Sequence, residues 1–288
     1  MPDLSQWLTE QLAEVDAANL RRTLRVLESP QQPVVRHHGR ELINFSSNDY
    51  LGLAIHSAVK QAALAAIETW GVGSGASRLI SGTQSPHDQL EQELAAFKET
   101  DAALVFSTGF AAAMGTIPAM VGAGDVVILD KLSHACLVDG ARMSGAMIRV
   151  FPHNNLDRLN DHLRWARNKF PNGNIFVVTE SVFSMDGDRA PLREIVELKN
   201  QFDAWLLLDE AHATGVIGAQ GRGAAFDAGV ANQVDLHMGT LGKALGSSGG
   251  YICGSRKLID WLINRARSFI FYKAPTASTP TAPSAAVN

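Results

Sequence analysis

From Ala103 onward the chain alternates short apolar runs with amphipathic stretches, and that alternation limits the fold more than any other feature. The apolar runs are about Ala103–Phe106, Val126–Leu129, Ile148–Phe151, Ile175–Thr179, Trp205–Asp209, Val234–Met238 and Gly250–Cys253, and they read as strands. Helical periodicity fills the intervals at Phe110–Met120, His134–Ser144, Leu156–Asn168, Leu192–Phe202 and Arg256–Arg267. Strands that are apolar along their whole length are covered on both faces. The pattern therefore predicts an α/β domain, a mostly parallel seven-stranded sheet between helices. In such sheets ligands gather beyond the carboxyl ends of the strands.

The earlier part of the chain reads differently. Residues 3–20 form an amphipathic helical pattern, with Leu4, Leu8, Leu12 and Val15 on one face and Asp3 or Ser5 as cap. Arg21, Arg22 and Arg25 follow. They are either a solvated helix end favoured by the dipole or a carboxylate clamp. Leu42–Phe45 reads as a short strand, SSNDY as the loop after it, and Ser57–Trp70 as a helix. The glycine-rich stretch 71–83 follows a helix rather than a strand, so it lacks the context of a dinucleotide loop. It reads as a flexible loop near a ligand or partner backbone. Pro86–Glu99 is a further helix with Leu90, Leu94 and Phe97 inward. Residues 274–288 are Pro, Ala, Ser and Thr without periodicity and read as disordered. The expected organisation is an N-terminal helix and arm over 1–50, a large domain over 51–271 and a tail over 272–288.

Composition excludes several classes. The net charge is -4 with no long basic run, which argues against nucleic acid or a membrane surface as partner. Cys136 and Cys253 are far apart and form no CxxC pair, so no metal site, redox dithiol or disulfide framework is expected. Their state points to a reducing cytoplasm. The N-terminus does not read as a signal peptide, and no apolar run approaches the ~18 residues of a spanning helix.

The polar residues at strand ends carry the chemistry. Lys243 lies among small residues in MGTLGKALGSSGG, directly after a strand. It is a phosphate ligand, a salt-bridge partner or a covalent attachment point. Gly242-Lys243 is not a Walker A, since His237 stands in place of its first glycine and Ala244 in place of Ser or Thr. GSSGG matches G-x-S-x-G at Ser248, but a strand follows where the nucleophile elbow needs a helix. Asp209 ends an apolar strand in LLLDEAH. It either caps the next turn or is a buried anion holding a cationic ring nitrogen. STGF (107–110) opens a helix after a strand, a natural anion site. A carboxylate for a pyridinium nitrogen, a lysine for a Schiff base and a helix terminus for a phosphate are the parts pyridoxal phosphate (PLP) requires. His134 would then lie against the ring and His212 would bond its phenolic oxygen.

The ordered motifs NFSSNDYLGL, STGF, LSHA, FSMDGD, LLLDEAHATGVIG, GRG and GTLGKALGSSGGY resemble those of the α-oxoamine synthases over about residues 20–271. The resemblance implies a PLP-dependent transferase of fold type I. It implies decarboxylative condensation of an amino acid with an acyl-CoA, with L-alanine and pimeloyl-CoA as the pair, or glycine and an acetyl donor as the alternative. It makes Lys243 the Schiff-base lysine and general base, and Asp209, His212 and His134 the residues around the ring. Gly109, Phe110 and Thr240 become phosphate ligands, Ser184 a neighbour of the ring oxygen, and Arg21 and Asn48 substrate contacts. It also implies a homodimer whose partner receives a Ser-Thr pair; those places are Tyr272 and Lys273 here. The family's small C-terminal domain has no counterpart after Phe271, so weak PLP binding, slow turnover or an inert homologue is the expectation for this chain.

Overall fold

The computed structural model describes residues 3–287. The chain divides into two units at Ser46 and Ser47. The first holds helix α1 (Leu4–Ala17) and a hairpin of β1 (Val34–His37) and β2 (Arg40–Ile43). No residue of α1 is buried, against the expected apolar contact face, and Asp3 occupies the N-cap position without a side-chain bond. The strand expected at Leu42–Phe45 lies earlier, because it is set by pairing with β1 in the register Val34↔Ile43 to His37↔Arg40. His38 and Gly39, both at positive φ, make the two-residue turn.

The second unit opens with α2 (Ser57–Trp70) and α3 (Ser85–Phe97). Alternation then begins: β3 (Ala102–Phe106), α4 (Gly109–Met120), β4 (Val126–Asp130), α5 (Ala135–Ser144), β5 (Met147–Phe151), α6 (Leu156–Lys169), β6 (Ile175–Glu180), α7 (Leu192–Gln201) and β7 (Trp205–Asp209). A short α8 (Ala224–Asp227), β8 (Leu236–Thr240), β9 (Gly250–Gly254), α9 (Arg256–Arg265), α10 (Arg267–Ile270) and α11 (Ser278–Val287) complete it. The seven strands are ordered β3-β9-β8-β7-β6-β4-β5. β9 runs against both its neighbours, and the other neighbouring pairs are parallel. The expected mostly parallel seven-stranded sheet is thus the core of the unit.

Strand alternation divides the core into two layers. Val127, Leu129, Phe176, Val178 and Leu207 face one way with Ile117 and Leu137 from α4 and α5. Val126, Ile128, Val177, Leu206 and Leu208 face the other with Leu159 and Leu163 of α6 and Ile195 of α7. Because both faces are covered, the strands carry no period-2 polar signal, which is why they appear in the sequence as plain apolar runs.

Three expectations change. The strand placed at Val234–Met238 runs Leu236–Thr240: apolar character marks burial, whereas the ladder to β9 recruits Gly239 and Thr240. The flexible loop at 71–83 contains a wide helical turn over Arg78–Gly82. The buried Arg78 guanidinium binds Glu91 through two bonds of 3.0 and 2.9 Å and pins this turn. The tail expected to be disordered is helical over Ser278–Val287 and lies against α2 and α3. It is docked by backbone: Ala274 N–H donates to Ala76 O, Ser74 Oγ to Ala274 O, and His87 Nε2 lies 2.9 Å from Pro275 O. Its Ala and Ser residues bury little apolar area each but permit close helix approach, so hydropathy conceals the contact.

One buried ion pair ties α3 to the loop after β7. Lys98 Nζ, just past α3, donates to Glu210 Oε2 at 2.8 Å, to Thr214 Oγ1 at 3.0 Å and to Arg222 O at 2.5 Å. Neither charged side chain has any solvent exposure. Removing one partner leaves the other charge buried and alone. Lys98→Met is therefore expected to cost about 3–5 kcal/mol in urea unfolding, and a loss below about 1 kcal/mol would contradict this account.

Candidate active site

The carboxyl ends of β3, β4, β6, β7 and β8 lie at one edge of the sheet, together with the amino end of the reversed β9. Gly250 permits this convergence: a Cβ there would overlap the backbone of Gly109, so only glycine lets β9 begin beside the first turn of α4. β3 passes into α4 through Ser107 and Thr108. The Thr108 side chain accepts from Ala111 N–H at 2.9 Å and caps the helix. The N–H groups of Gly109 and Phe110 belong to the first helical turn, which has no carbonyl partner within the helix.

β6 and β7 each end in a carboxylate, and their register pairs Glu180 with Asp209. Burial pushes Glu180 up to about 8, reinforced by Asp209 beside it. Burial also raises Asp209, opposed by the Ala211 N–H and by Lys243 and His134. Asp209 accepts one backbone N–H, from Ala211 at 2.9 Å. Glu180 accepts the His134 N–H at 2.5 Å. His134 is the N-cap of α5. Its Nδ1 accepts from Cys136 N–H at 3.2 Å and lies 3.0 Å from Cys136 Sγ, a thiol that burial pushes up to about 12.

Lys243 follows β8 on a stapled loop. Leu241 N–H donates to Gly249 O, Ser247 N–H to Leu241 O, and Gly246 N–H to Lys243 O. Thr240 Oγ donates to Gly249 O and accepts from Gly242 N–H. The lysine Nζ lies 2.7 Å from His212 Nε2. Burial lowers Lys243, while Asp209 and Glu180 pull the other way. Burial and then the neighbouring Lys243 hold His212 at about 4. On its far side, His212 Nδ1 lies 2.6 Å from the Tyr50 hydroxyl, which in turn lies 3.2 Å from Asn48 Oδ1.

Gly109, Phe110, His134, Asp209, His212, Thr240 and Lys243 line one cavity of about 170 Å³. The reading of the sequence named all seven. Ser184 is exposed in the turn after β6 and is not part of the lining. Asn48 is linked to the cavity through Tyr50 and His212. Arg21 belongs to the first unit, where it pairs with Asp16 at 3.6 Å. Sequence reasoning missed Glu180 and Cys136, which line the same cavity, and Tyr50. Glu180 had a signal, since it ends an apolar strand as Asp209 does. Tyr50 had none, because its partner is far along the chain. A carboxylate pushed up, a lysine pushed down and a histidine pushed down in one cleft are the arrangement that acid–base chemistry uses.

Residues 40–288 match the family described as aminotransferase class I and II, and the chain belongs to that family. It is 49% identical over 92% of its length to an 8-amino-7-oxononanoate synthase of Geotalea daltonii, covering 67% of that protein. It is 47% identical to the protein of the same name from Aromatoleum aromaticum, over 95% of this chain and 70% of that one. Among solved structures, a serine palmitoyltransferase of Sphingomonas wittichii superposes with a TM-score of 0.92 at 32% identity, over 99% of this chain and 72% of that one. The chain thus spans about two thirds to three quarters of these relatives. The motif resemblance and the relatives agree on the same group of enzymes.

Glu180 gives a pH test in the cofactor-free chain. Its folded pKa is raised above the ordinary 4.5, so the folded state holds a proton that the unfolded state releases. Its burial therefore costs progressively more stability as pH rises from 4.5 to about 8. Glu180→Gln keeps an oxygen for the His134 N–H and removes the titration. Its stability relative to wild type should climb across that window in urea melts, and a pH-independent difference would refute the assignment.

Proposed function

We propose that the chain is a PLP-dependent acyltransferase condensing L-alanine with pimeloyl-CoA to give 8-amino-7-oxononanoate, CoA and CO2, a step of biotin biosynthesis. The observation that carries this reading is the Lys243–His212 contact beside the buried, singly bonded Asp209 carboxylate. It occurs in a chain about half identical to proteins named for that activity. The residues fit the cofactor by their chemistry. Asp209 has an uncommitted carboxylate oxygen for a protonated ring nitrogen. The Gly109 and Phe110 N–H groups suit a phosphate, and Thr240 would join them by turning its hydroxyl proton away from the Gly249 carbonyl. The flat side of His134 suits a ring face.

When bound, the cofactor supplies the electron sink that makes loss of the amino acid's α-proton feasible. The protein supplies the rest. Lys243, with its pKa lowered, would hold the cofactor covalently and would accept the α-proton at Nζ. The buried Asp209 would pair with the ring's cationic nitrogen, where an ion pair is strong. His212 would face the phenolic oxygen, and Asn48 the substrate. The acyl carbonyl then gains the carbon–carbon bond, the CoA thiolate leaves, and the amino acid carboxyl departs as CO2.

A homodimer is part of the proposal. Val72, Ile80 and Met185 are each at least 80% exposed, and Phe110 at the cavity is half exposed, an arrangement that suits a second copy. Both cysteines are free and buried, which suits the cytoplasm. Incubation with PLP, L-alanine and pimeloyl-CoA should release CoA thiol and 8-amino-7-oxononanoate in equal amounts, read by mass spectrometry. Lys243→Ala should lower turnover by at least about 10³-fold and abolish borohydride trapping of the cofactor on the chain. Trapping on Lys243 without any condensation would reject the reaction while leaving the cofactor assignment standing.

A further inference from the structure

We infer that Tyr50 is a positioning residue that fixes the tautomer of His212 and thereby keeps the Lys243 amine in its neutral, lone-pair form. The inference stands on a chain of contacts from solvent to the amine. The Tyr50 hydroxyl lies 3.2 Å from Asn48 Oδ1 and 2.6 Å from His212 Nδ1, and His212 Nε2 lies 2.7 Å from Lys243 Nζ.

A phenol has one proton to donate. The 2.6 Å contact to His212 Nδ1 is shorter than the ~2.7–3.2 Å span of N–H···O bonds, and the proton between them is therefore assigned to the phenol oxygen, with Nδ1 as its acceptor. Turning the Asn48 amide exchanges its oxygen for its nitrogen, an assignment that geometry alone leaves free. Asn48 then donates to the tyrosine oxygen, and every group in the chain is satisfied. With Nδ1 accepting, the proton of the neutral imidazole resides on Nε2. Nε2–H faces Nζ at hydrogen-bond distance, so Nζ must accept. An ammonium has no lone pair and cannot. The same tautomer leaves an N–H donor beside the amine when the lysine moves away, suited to an anionic oxygen taking its place. The downward shifts of Lys243 and of His212, to about 4, run in the direction this arrangement requires.

The charged and titratable groups facing Lys243 from elsewhere are Asp209 at the end of β7, Glu180 at the end of β6, and Cys136 of α5 with its cap His134. Asp209 and Glu180 both favour the ammonium, and burial opposes it. Tyr50, through His212, acts with burial. Tyr50 is 42% exposed, so the hydroxyl is replaceable without disturbing the core.

The experiment uses the cofactor-free chain. The proposal draws on the reaction above only for the purpose of the neutral amine, and the test needs neither cofactor nor substrate. Failure of the condensation assay would leave it untouched. Lys243 is labelled with trace acetic anhydride from pH 6 to pH 10, and its modification is quantified by peptide mass spectrometry. In wild type the half-titration should fall well below the ~10.4 of an ordinary lysine. In Tyr50→Phe it should rise by about one pH unit, a tenfold loss of labelling at neutral pH. His212→Ala should raise it similarly, and adding Tyr50→Phe to His212→Ala should add nothing, since the effect passes through the ring. Circular dichroism and urea melts establish that each variant is folded. A Tyr50→Phe profile that coincides with wild type would overturn the inference. So would an equal shift in the His212→Ala background, which would make Tyr50's effect independent of the imidazole.

Discussion

A lysine and a glutamate without solvent exposure hold the region around the cleft together. Lys98 Nζ is surrounded by Glu210 Oε2, Thr214 Oγ1 and the Arg222 carbonyl, and Thr214 continues to the buried Tyr251 hydroxyl at 3.0 Å. Burial opposes both charges, yet the pairing prevails: Glu210 is held down at about 2, with Lys98 the main stabilising neighbour. The other Glu210 oxygen accepts from Ala225 N–H at 3.0 Å. Gly223, at φ 118°, passes so close that a Cβ would overlap the Glu210 carboxyl. The loop from 210 to 225 is therefore wound around one carboxylate. A network of this kind costs desolvation, and its return is geometric: the loop closes around a carboxylate whose two oxygens both have partners.

Its position is what matters for chemistry. Glu210 follows Asp209, and successive residues at a strand end face opposite sides. The carboxylate on one side is locked by charge to Lys98, just past α3, and that on the other is presented to the cleft with a single backbone donor. Charge balance differs between the two sides. Behind the sheet end an ion pair is complete. In the cleft Asp209 and Glu180 stand side by side as register partners, so one holds a proton near neutrality. A cationic ring nitrogen would relieve this crowding, and burial lowers the pKa of the lysine amine nearby against the pull of the two carboxylates.

Much of this was legible in the residues. Asp209, Lys243, His134 and the STGF turn could be placed because strand ends are visible as the points where apolar runs stop, and parallel sheets bring those ends together. Glu180 was visible by the same rule, since it follows directly on the apolar run Ile175–Thr179. Tyr50 and the Lys98–Glu210 pair were not visible. Their contacts join positions more than a hundred residues apart, and neither has a periodic signature. The helix at Ser278–Val287 failed for another reason: small residues pack by shape and backbone approach, which hydropathy does not register.

The sequence by itself determined the class of fold, the sheet's strand count and most of the cavity's lining, because burial on both faces writes each strand as an apolar run and leaves polar residues only at its ends. Tertiary structure alone decided strand order, the reversal of β9 and the register that sets Glu180 beside Asp209. It alone decided the path from Asn48 through Tyr50 and His212 to Lys243. Protonation states belong to that second group. They depend on distances between charges and on depth from water, and a sequence specifies both only after it has folded.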